Sequence, residues 1–356
     1  MRIVHVVQCL GLGGQERLIL YLSRELQKRG HEPHVISLTP GGDLRPEFAS
    51  IAVHDVPRRS GVDPLLAMNM ARTLLTIKPD VVHTHNPSPM FYAVPVARAL
   101  HVRRIVHTKH GANIYGPKSL WGARAVVRML DSLVAVSDGT ADVALQKECV
   151  PAKTIHVIPN GIPLNDFHAD ADARKDVRRE FSIPEDALVV GSVGRLAKEK
   201  DYPLLVRAMK PLLGPSTRLM IVGAGAARPD IEAVITPDIA PFVTLTGMRR
   251  DVPRMLAAMD IFSLTSITEG LPLVIPEAFA TGLPVVATAV GGLPSIVRED
   301  VGLLRPHGDA SGLSGAFSEL LKDPTRRATM GESARSYALR RFSIEAMTDA
   351  YLALYQ

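Results

Sequence analysis

RIVHVVQCLGLGGQERLILYLSRELQKRG, residues 2–30, decides the fold. It opens on an apolar, β-branched run at 2–8, continuous enough for a strand buried on both faces. A glycine turn follows. Residues 15–30 then place Leu18, Ile19, Leu22 and Leu26 at helical spacing, giving a helix with one apolar stripe. Strand, tight turn and helix in that order open a parallel βαβ unit.

The same alternation continues outward. Strand-like runs lie at 34–38, 81–86, 104–110, 133–137 and 155–161, with helix-length segments around 64–78, 90–100 and 119–130. Strands separated by helices pair in parallel through right-handed crossovers. The pattern restarts after Asn160 and Gly161. A polar, charged stretch at 166–180 reads as a connector, and strands follow at 188–195, 218–225, 242–247, 260–266, 284–290 and 301–305. Residues 310–356 are mostly helical in pattern. The spacing predicts an α/β chain of two Rossmann-like, doubly wound halves. No short period repeats; the duplication is one of architecture. Ligands of such sheets bind at the carboxyl ends of the strands, so the expected site is the cleft between the two sheets.

Composition narrows the class. The 356 residues suffice for two ordinary domains. Hydrophobic residues at 46% and charged residues at 22% are the balance of a soluble globular chain. No apolar run reaches the roughly 18 residues of a membrane span, and the N-terminal run is too short for a signal peptide. Two cysteines, Cys9 and Cys149, make no disulfide framework and fit a reducing compartment. The expected location is cytoplasmic. No Cys/His spacing suggests structural zinc.

The net charge is +5, but its distribution is uneven. Between Asp80 and Asp131 there is no acidic residue, while Arg98, Arg103, Arg104, Lys109, Lys118, Arg124 and Arg128 all fall there. This stretch reads either as a solvated face or as a surface for anionic lipid head groups or an acidic acceptor. A peripheral position on the inner face of the cell membrane follows from the second reading. Nucleic acid is not expected as a partner, since the chain carries no RNA-binding or helix-turn-helix signature.

Three motifs can carry chemistry. Gly13 and Gly14 sit between the first strand and its helix, where backbone amides can approach a phosphate; the same residues equally serve a tight turn. Arg195 and Lys200 follow the first strand of the second half and suit a diphosphate leaving group without a metal, or they are ordinary surface charge. Glu269 and Glu277 bracket the apolar run GLPLVIP between a strand and the helix EAFATG. A carboxylate can accept two hydroxyl hydrogen bonds, which suits sugar and ribose diols. A hydrolase acid/base pair is the alternative for these two acids, and two unrelated surface acids the plainest one.

These motifs resemble glycosyltransferase family 4, retaining enzymes of GT-B fold. The resemblance runs through GGQE (13–16), IPNGI (158–162), GR with Lys200, VGAG (222–225) and EGLPLVIPEAFATGLPVVAT (269–288). The N-terminal half is most similar to sugar transferases of bacterial exopolysaccharide clusters. The resemblance implies an acceptor-side domain at 1–165, a nucleotide-sugar donor domain at 166–340 and a final helix at 341–356 that crosses back to the first domain. It also implies that Gly13 and Gly14 meet the donor phosphate, that Arg195 and Lys200 hold the diphosphate, that Glu269 binds hydroxyls of the transferred sugar, and that Glu277 binds the ribose diol. Amides around Gly270 would meet the sugar and β-phosphate. Pro272 has no N–H, so Leu271, Leu273 or Val274 must supply them. A strand-end histidine of the first domain contacts the sugar in this family. His110 fits by position, His107 is its neighbour, and His83 and His85 are acceptor-side candidates. The co-substrate would be a UDP- or GDP-linked sugar and the acceptor a saccharide or lipid-linked saccharide, with no cofactor and no metal. A GT-B nucleotide-sugar epimerase and a non-catalytic nucleotide-sugar-binding subunit would share the donor pocket.

Overall fold

A computed structural model describes residues 1–59, 63–111 and 117–356, with the side chains of 117–119 left aside. The chain divides into two compact units, Met1–Ile162 with Ile344–Gln356, and Pro163–Ser343. The division falls at 162/163 and 343/344 rather than at 165/166 and 340/341.

The first unit contains β1 (Arg2–Val7), α1 (Gly14–Lys28), β2 (Glu32–Ser37), β3 (Ala52–Asp55), α2 (Pro64–Ile77), β4 (Val81–His85), α3 (Pro87–Ala99), β5 (Arg104–Lys109), α4 (Pro117–Val127), β6 (Ser132–Ala135), α5 (Asp138–Gln146) and β7 (Ile155–Val157). Among the described residues its seven strands lie in the order β3-β2-β1-β4-β5-β6-β7, all parallel. Strand order reverses between β1 and β4, which is where such a sheet offers a ligand site. Val4, Val6, Val82 and Ile105 are fully buried on this sheet, as continuous apolar strands require. β3 and α5 are elements that the hydrophobic pattern alone did not mark. In β3 the sequence AVHD carries a histidine and an aspartate at a sheet edge, where polar side chains stay partly solvated.

The second unit contains α6 (Ala171–Glu180), β8 (Leu188–Val193), α7 (Tyr202–Met209), β9 (Thr217–Val222), α8 (Arg228–Glu232), β10 (Val243–Gly247), α9 (Val252–Ala257), β11 (Ile261–Leu264), α10 (Val274–Thr281), β12 (Val285–Thr288), β13 (Gly302–Arg305), α11 (Ala310–Lys322) and α12 (Pro324–Arg341). Six parallel strands lie in the order β10-β9-β8-β11-β12-β13, reversing between β8 and β11.

The polar stretch at 166–180 is more than a connector. Most of it forms α6, capped by the Asp170 side chain, which accepts from the amides of Asp172 and Ala173. Arg178 from this helix is 1% exposed. It donates to the carbonyls of Ala258, Pro184, Glu185 and Ala187 and pairs with Asp260 at 2.8 Å. A buried guanidinium is tolerated only when its donors are met in this way, and sequence pattern does not show such partners.

The last helix, α13 (Ile344–Tyr355), belongs to the first unit. The Ile344 amide donates to the Ile162 carbonyl at 3.0 Å, and the helix packs on α1 and β5. Ile344, Met347, Tyr351 and Tyr355 form its buried stripe. Tyr351 OH lies 3.0 Å from Thr108 Oγ1, and Tyr355 OH lies 2.7 Å from His83 Nδ1. Arg29 of α1's C-terminal turn pairs with Asp349 and donates to the Glu345 carbonyl.

Candidate active site

In the second unit the site is assembled at the ends of β8 and β11, the two strands that flank the reversal. β8 runs out at Val193, and Gly194, Arg195 and Lys200 follow in its loop. β11 ends at Leu264, and Thr265, Ser266 and Glu269 follow in its own. Lys200 Nζ donates to Glu269 Oε1 at 2.6 Å, and Ser266 Oγ donates to the same oxygen at 2.5 Å. Thr265 Oγ1 lies within hydrogen-bond distance of the Lys200 and Asp201 carbonyls, so the two loops are tied side by side. Two glycines permit this approach. Gly223 has φ +147°, and a Cβ there would lie 1.9 Å from the Gly194 carbonyl oxygen. Gly291 has φ +56°, and its Cβ would lie 1.8 Å from the Glu269 carbonyl oxygen. Any other residue at either position would push the Arg195 or Glu269 loop away.

Lys200 and Glu269, expected on separate ligand groups, are therefore each other's partner. An ammonium has three donors, so one bond to Glu269 leaves two for a phosphate. Arg195 pairs instead with Glu199 at 2.6 Å and is mostly exposed. An exposed pair of this kind holds weakly, which leaves the guanidinium ready to turn to a ligand. Glu277 stands in the first turn of α10 and is 5% exposed. α10 starts without a side-chain cap, Pro276 has no N–H, and the Ile275 amide is already given to the Pro272 carbonyl. Leu273 and Val274 are then the first-turn amides left to meet an anion, beside Gly270. Ser266 and Thr265 escaped sequence reasoning, because a hydroxyl residue after a strand is commonplace.

In the first unit Gly13 is the N-cap of α1 and Gly14 its first residue. Glu16 folds back over this end: a Cβ on Gly13 would come 2.2 Å from Glu16 Oε2. The end expected to face a phosphate is held here by the chain's own carboxylate.

The histidines gather on the neighbouring strands. His83 is fully buried with both ring nitrogens engaged at 2.7 Å, Nδ1 to Tyr355 OH and Nε2 to Thr108 Oγ1. His107 is 2% exposed and lies 2.9 Å from Thr84 Oγ1 through Nδ1. His85 is 1% exposed, between His5 at 3.1 Å and His110 at 3.0 Å. The acceptor-side candidates His83, His85 and His107 thus lie buried within the first unit. Their rings point inward from interior strands, with α13 packed on β5. His110 alone of the four keeps open surface. Burial holds all of them neutral: desolvation lowers His5, His107 and His110 to about 3 and takes His83 and His85 well below the ordinary histidine range.

The acid-free stretch is less uniformly available than its composition suggests. Lys109 is buried and pairs with Glu148 at 2.6 Å, where burial pushes the carboxyl pKa up despite the ammonium. Arg98 pairs with Asp131, and Arg103 donates to the Gln356 carbonyl. The Lys118 side chain and residues 112–116 lie outside the described set. Arg124 and Arg128 are bonded only to backbone carbonyls among the described contacts, and Trp121 on the same helix is 81% exposed. Among the described residues no helix is long and apolar enough to cross a membrane.

Comparison with known proteins agrees with this geometry. Residues 12–166 match the model of Glycosyltransferase Family 4, and residues 187–323 match that of Glycosyl transferases group 1. A GDP-mannose-dependent alpha-(1-6)-phosphatidylinositol monomannoside mannosyltransferase of Mycolicibacterium smegmatis is 30% identical over 78% of this chain and 76% of its own. The UDP-Gal:alpha-D-GlcNAc-diphosphoundecaprenol alpha-1,3-galactosyltransferase of Escherichia coli is 27% identical over 81% of this chain and 78% of its own. The crystal structure of Anabaena Alr3699/HepE in complex with UDP and glucose superposes with a TM-score of 0.87, at 22% identity, covering 99% of this chain and 98% of that one. The two Rossmann-like units are those of the GT-B fold. On both family matches and on the relative that is 30% identical over 78% of this chain, the chain belongs to glycosyltransferase family 4 and is a glycosyltransferase.

Proposed function

We propose that the chain transfers a sugar from a UDP- or GDP-linked donor to a saccharide or lipid-linked saccharide acceptor, with retention of configuration and without a metal or other cofactor. The observation that carries this is the Lys200–Glu269–Ser266 cluster at the β8 and β11 ends, beside the open first turn of α10. Relatives support the substrate class: one uses a UDP-galactose donor and a lipid-diphosphate acceptor, another GDP-mannose.

In this reading Lys200 gives its two remaining N–H groups to the diphosphate, and Arg195 leaves Glu199 to join it. The cations meet the charge that develops as the glycosidic bond to phosphate breaks, which is the work a divalent ion does elsewhere. Glu269 offers Oε2 to a hydroxyl of the transferred sugar while Lys200 and Ser266 hold Oε1. Glu277 accepts from the ribose diol. The amides of Gly270, Leu271, Leu273 and Val274 face the sugar and β-phosphate, and Gly13 and Gly14 face the phosphate once Glu16 swings aside. His110 binds a saccharide oxygen. Retention follows if the acceptor attacks on the face the diphosphate leaves, with the departing phosphate taking the acceptor's proton.

A panel of nucleotide sugars, with and without acceptor extract, tests the whole reading. Nucleotide release that depends on acceptor and persists in EDTA is expected. Release abolished by EDTA and restored by magnesium or manganese would overturn metal independence. Isomerised donor without transfer would make the chain an epimerase, and tight donor binding without any turnover would make it a silent subunit.

Glu277→Ala should weaken binding of the free nucleoside diphosphate about tenfold to hundredfold. A charge-assisted hydrogen bond is worth about 1.5–3 kcal/mol. Calorimetry on a folded variant checks it, and an unchanged affinity removes Glu277 from the ribose.

A second reading concerns location. Trp121 and Arg124 lie one turn apart on α4, and Arg128 follows directly after its last residue, an apolar side chain near two cations. This segment is proposed to rest on an anionic membrane, where each cation contributes about 1 kcal/mol. Co-sedimentation with vesicles containing anionic lipid should fall severalfold in Arg124→Glu with Arg128→Glu. Equal binding to neutral vesicles removes the membrane from the account.

A further inference from the structure

Register explains how three histidines from distant parts of the chain come together. β1 pairs with β4 so that His5 stands opposite His83, and the pleat puts His85 on the same face two residues on. His110 follows the end of β5, the next strand. His5 Nδ1 and His85 Nε2 are 3.1 Å apart, and His85 Nδ1 and His110 Nε2 are 3.0 Å apart. The rings step along with centroids 5.3 and 5.2 Å apart. His5 Nε2, at the inner end, is buried and has no hydrogen-bond partner among the described residues.

The protons in this row can be counted. A neutral imidazole carries one N–H, so three rings carry three. Each of the two N···N contacts needs one hydrogen, which leaves one for an end. If the spare hydrogen sat on His5 Nε2, it would be a buried donor without an acceptor, the rarest kind of orphan. If it sits on His110 Nδ1, the orphan at His5 is only a lone pair, and the free N–H lies on the one ring with open surface. The second arrangement wins. His5 donates from Nδ1 to His85, His85 donates from Nδ1 to His110, and each bond polarises the next.

We propose that His5 and His85 form a one-way hydrogen-bonded row that fixes His110 in its Nδ1–H tautomer, so that His110 meets the saccharide as a hydrogen-bond donor. His85 is then a positioning residue. The sugar-contact half of this rests on the reading of His110 given above; the tautomer half stands on geometry alone. A consequence is that the outer nitrogen of His110 cannot accept a proton from the acceptor hydroxyl, which agrees with the departing phosphate taking it.

A metal ion is the competing use of two of these rings, with His83 as the third. Donor atoms of His5, His83 and His85 lie within 4.8 Å of one another. Tetrahedral zinc at about 2.0–2.1 Å from each nitrogen would need them about 3.4 Å apart. It would also strip His83 from Tyr355 or Thr108, each held at 2.7 Å. The hydrogen-bonded row leaves one ring nitrogen unused, whereas the metal breaks bonds already made.

The test uses the full-length enzyme labelled with 15N-histidine. Long-range 1H–15N spectra at neutral pH, assigned through single variants, should show His5, His85 and His110 all as Nδ1–H tautomers. An Nε2–H signal from any of the three overturns the row, and so does a joint shift of His5, His83 and His85 on adding zinc. Kinetics test the positioning. An asparagine amide reaches the place of a histidine Nδ1, and a glutamine amide that of Nε2. His85→Asn should therefore keep kcat within about threefold, while His85→Gln and His85→Phe lose about tenfold to hundredfold at unchanged affinity for the free nucleotide. Equal kcat for His85→Asn and His85→Phe at matched melting temperatures overturns the positioning role. If His110→Ala leaves kcat unchanged, the sugar contact falls, whatever the tautomers show.

Discussion

Lys200→Met is expected to lower kcat about a hundredfold to a thousandfold, the loss found when one preorganised donor to a developing charge is removed. Two effects act in the same direction. The diphosphate loses a cation, and Glu269, with little exposed surface, keeps only Ser266 as a partner for Oε1. A carboxylate that has lost its ammonium partner is held less firmly and aims Oε2 at the sugar hydroxyls less well. Lys200→Met with Glu269→Gln separates the two: the double variant should regain the melting temperature of the parent but not its rate. Steady-state kinetics with the best donor of the panel read both. A kcat for Lys200→Met within threefold of the parent would confine Lys200 to holding its loop.

The second large effect is a loss of stability in mild acid. His5, His83, His85 and His107 are each held neutral by burial, with folded pKa values depressed to about 3 or well below the ordinary range. The unfolded chain returns them to about 6.5. Below that value the unfolded state binds more protons than the folded one, so stability falls as pH falls. The contribution is fully present above about pH 6.5 and is lost progressively from there toward pH 3. Between pH 7 and 5.5 each histidine removes about 1 kcal/mol, about 4–5 kcal/mol for the four. Domains of this kind hold about 5–15 kcal/mol in all. Melting followed by circular dichroism should therefore drop steeply below pH 6.5, with several protons taken up on unfolding. A melting temperature flat from pH 7 to 5.5 would mean that these rings are not buried as described.

The parallel strands were readable because burial on both faces writes itself as unbroken runs of valine, isoleucine and leucine. β3 and α6 were not, since an edge strand and an arginine-rich helix hold few apolar side chains. The same limit governs the site. Glu269 and Lys200 stand out locally, each by its motif, but their contact depends on β8 and β11 being neighbours, and that is a property of strand order. The histidines show the converse. A histidine in an apolar strand reads as a candidate for ligand contact, yet whether its ring faces a helix or a ligand depends on what packs above it. For His83 that is Tyr355, 272 residues away in sequence.

The first unit is made from both ends of the chain, with residues 163–343 inserted between its parts. On the ribosome this separates the order of synthesis from the order of completion. The seven-stranded sheet emerges first, but its β4 and β5 histidine and threonine lack Tyr355 and Tyr351 until the final turn of α13 is translated. The second unit, made later, has its whole sequence available sooner. The nascent protein therefore passes through a stage in which the later-made half is complete while the earlier-made half still waits for its last dozen residues.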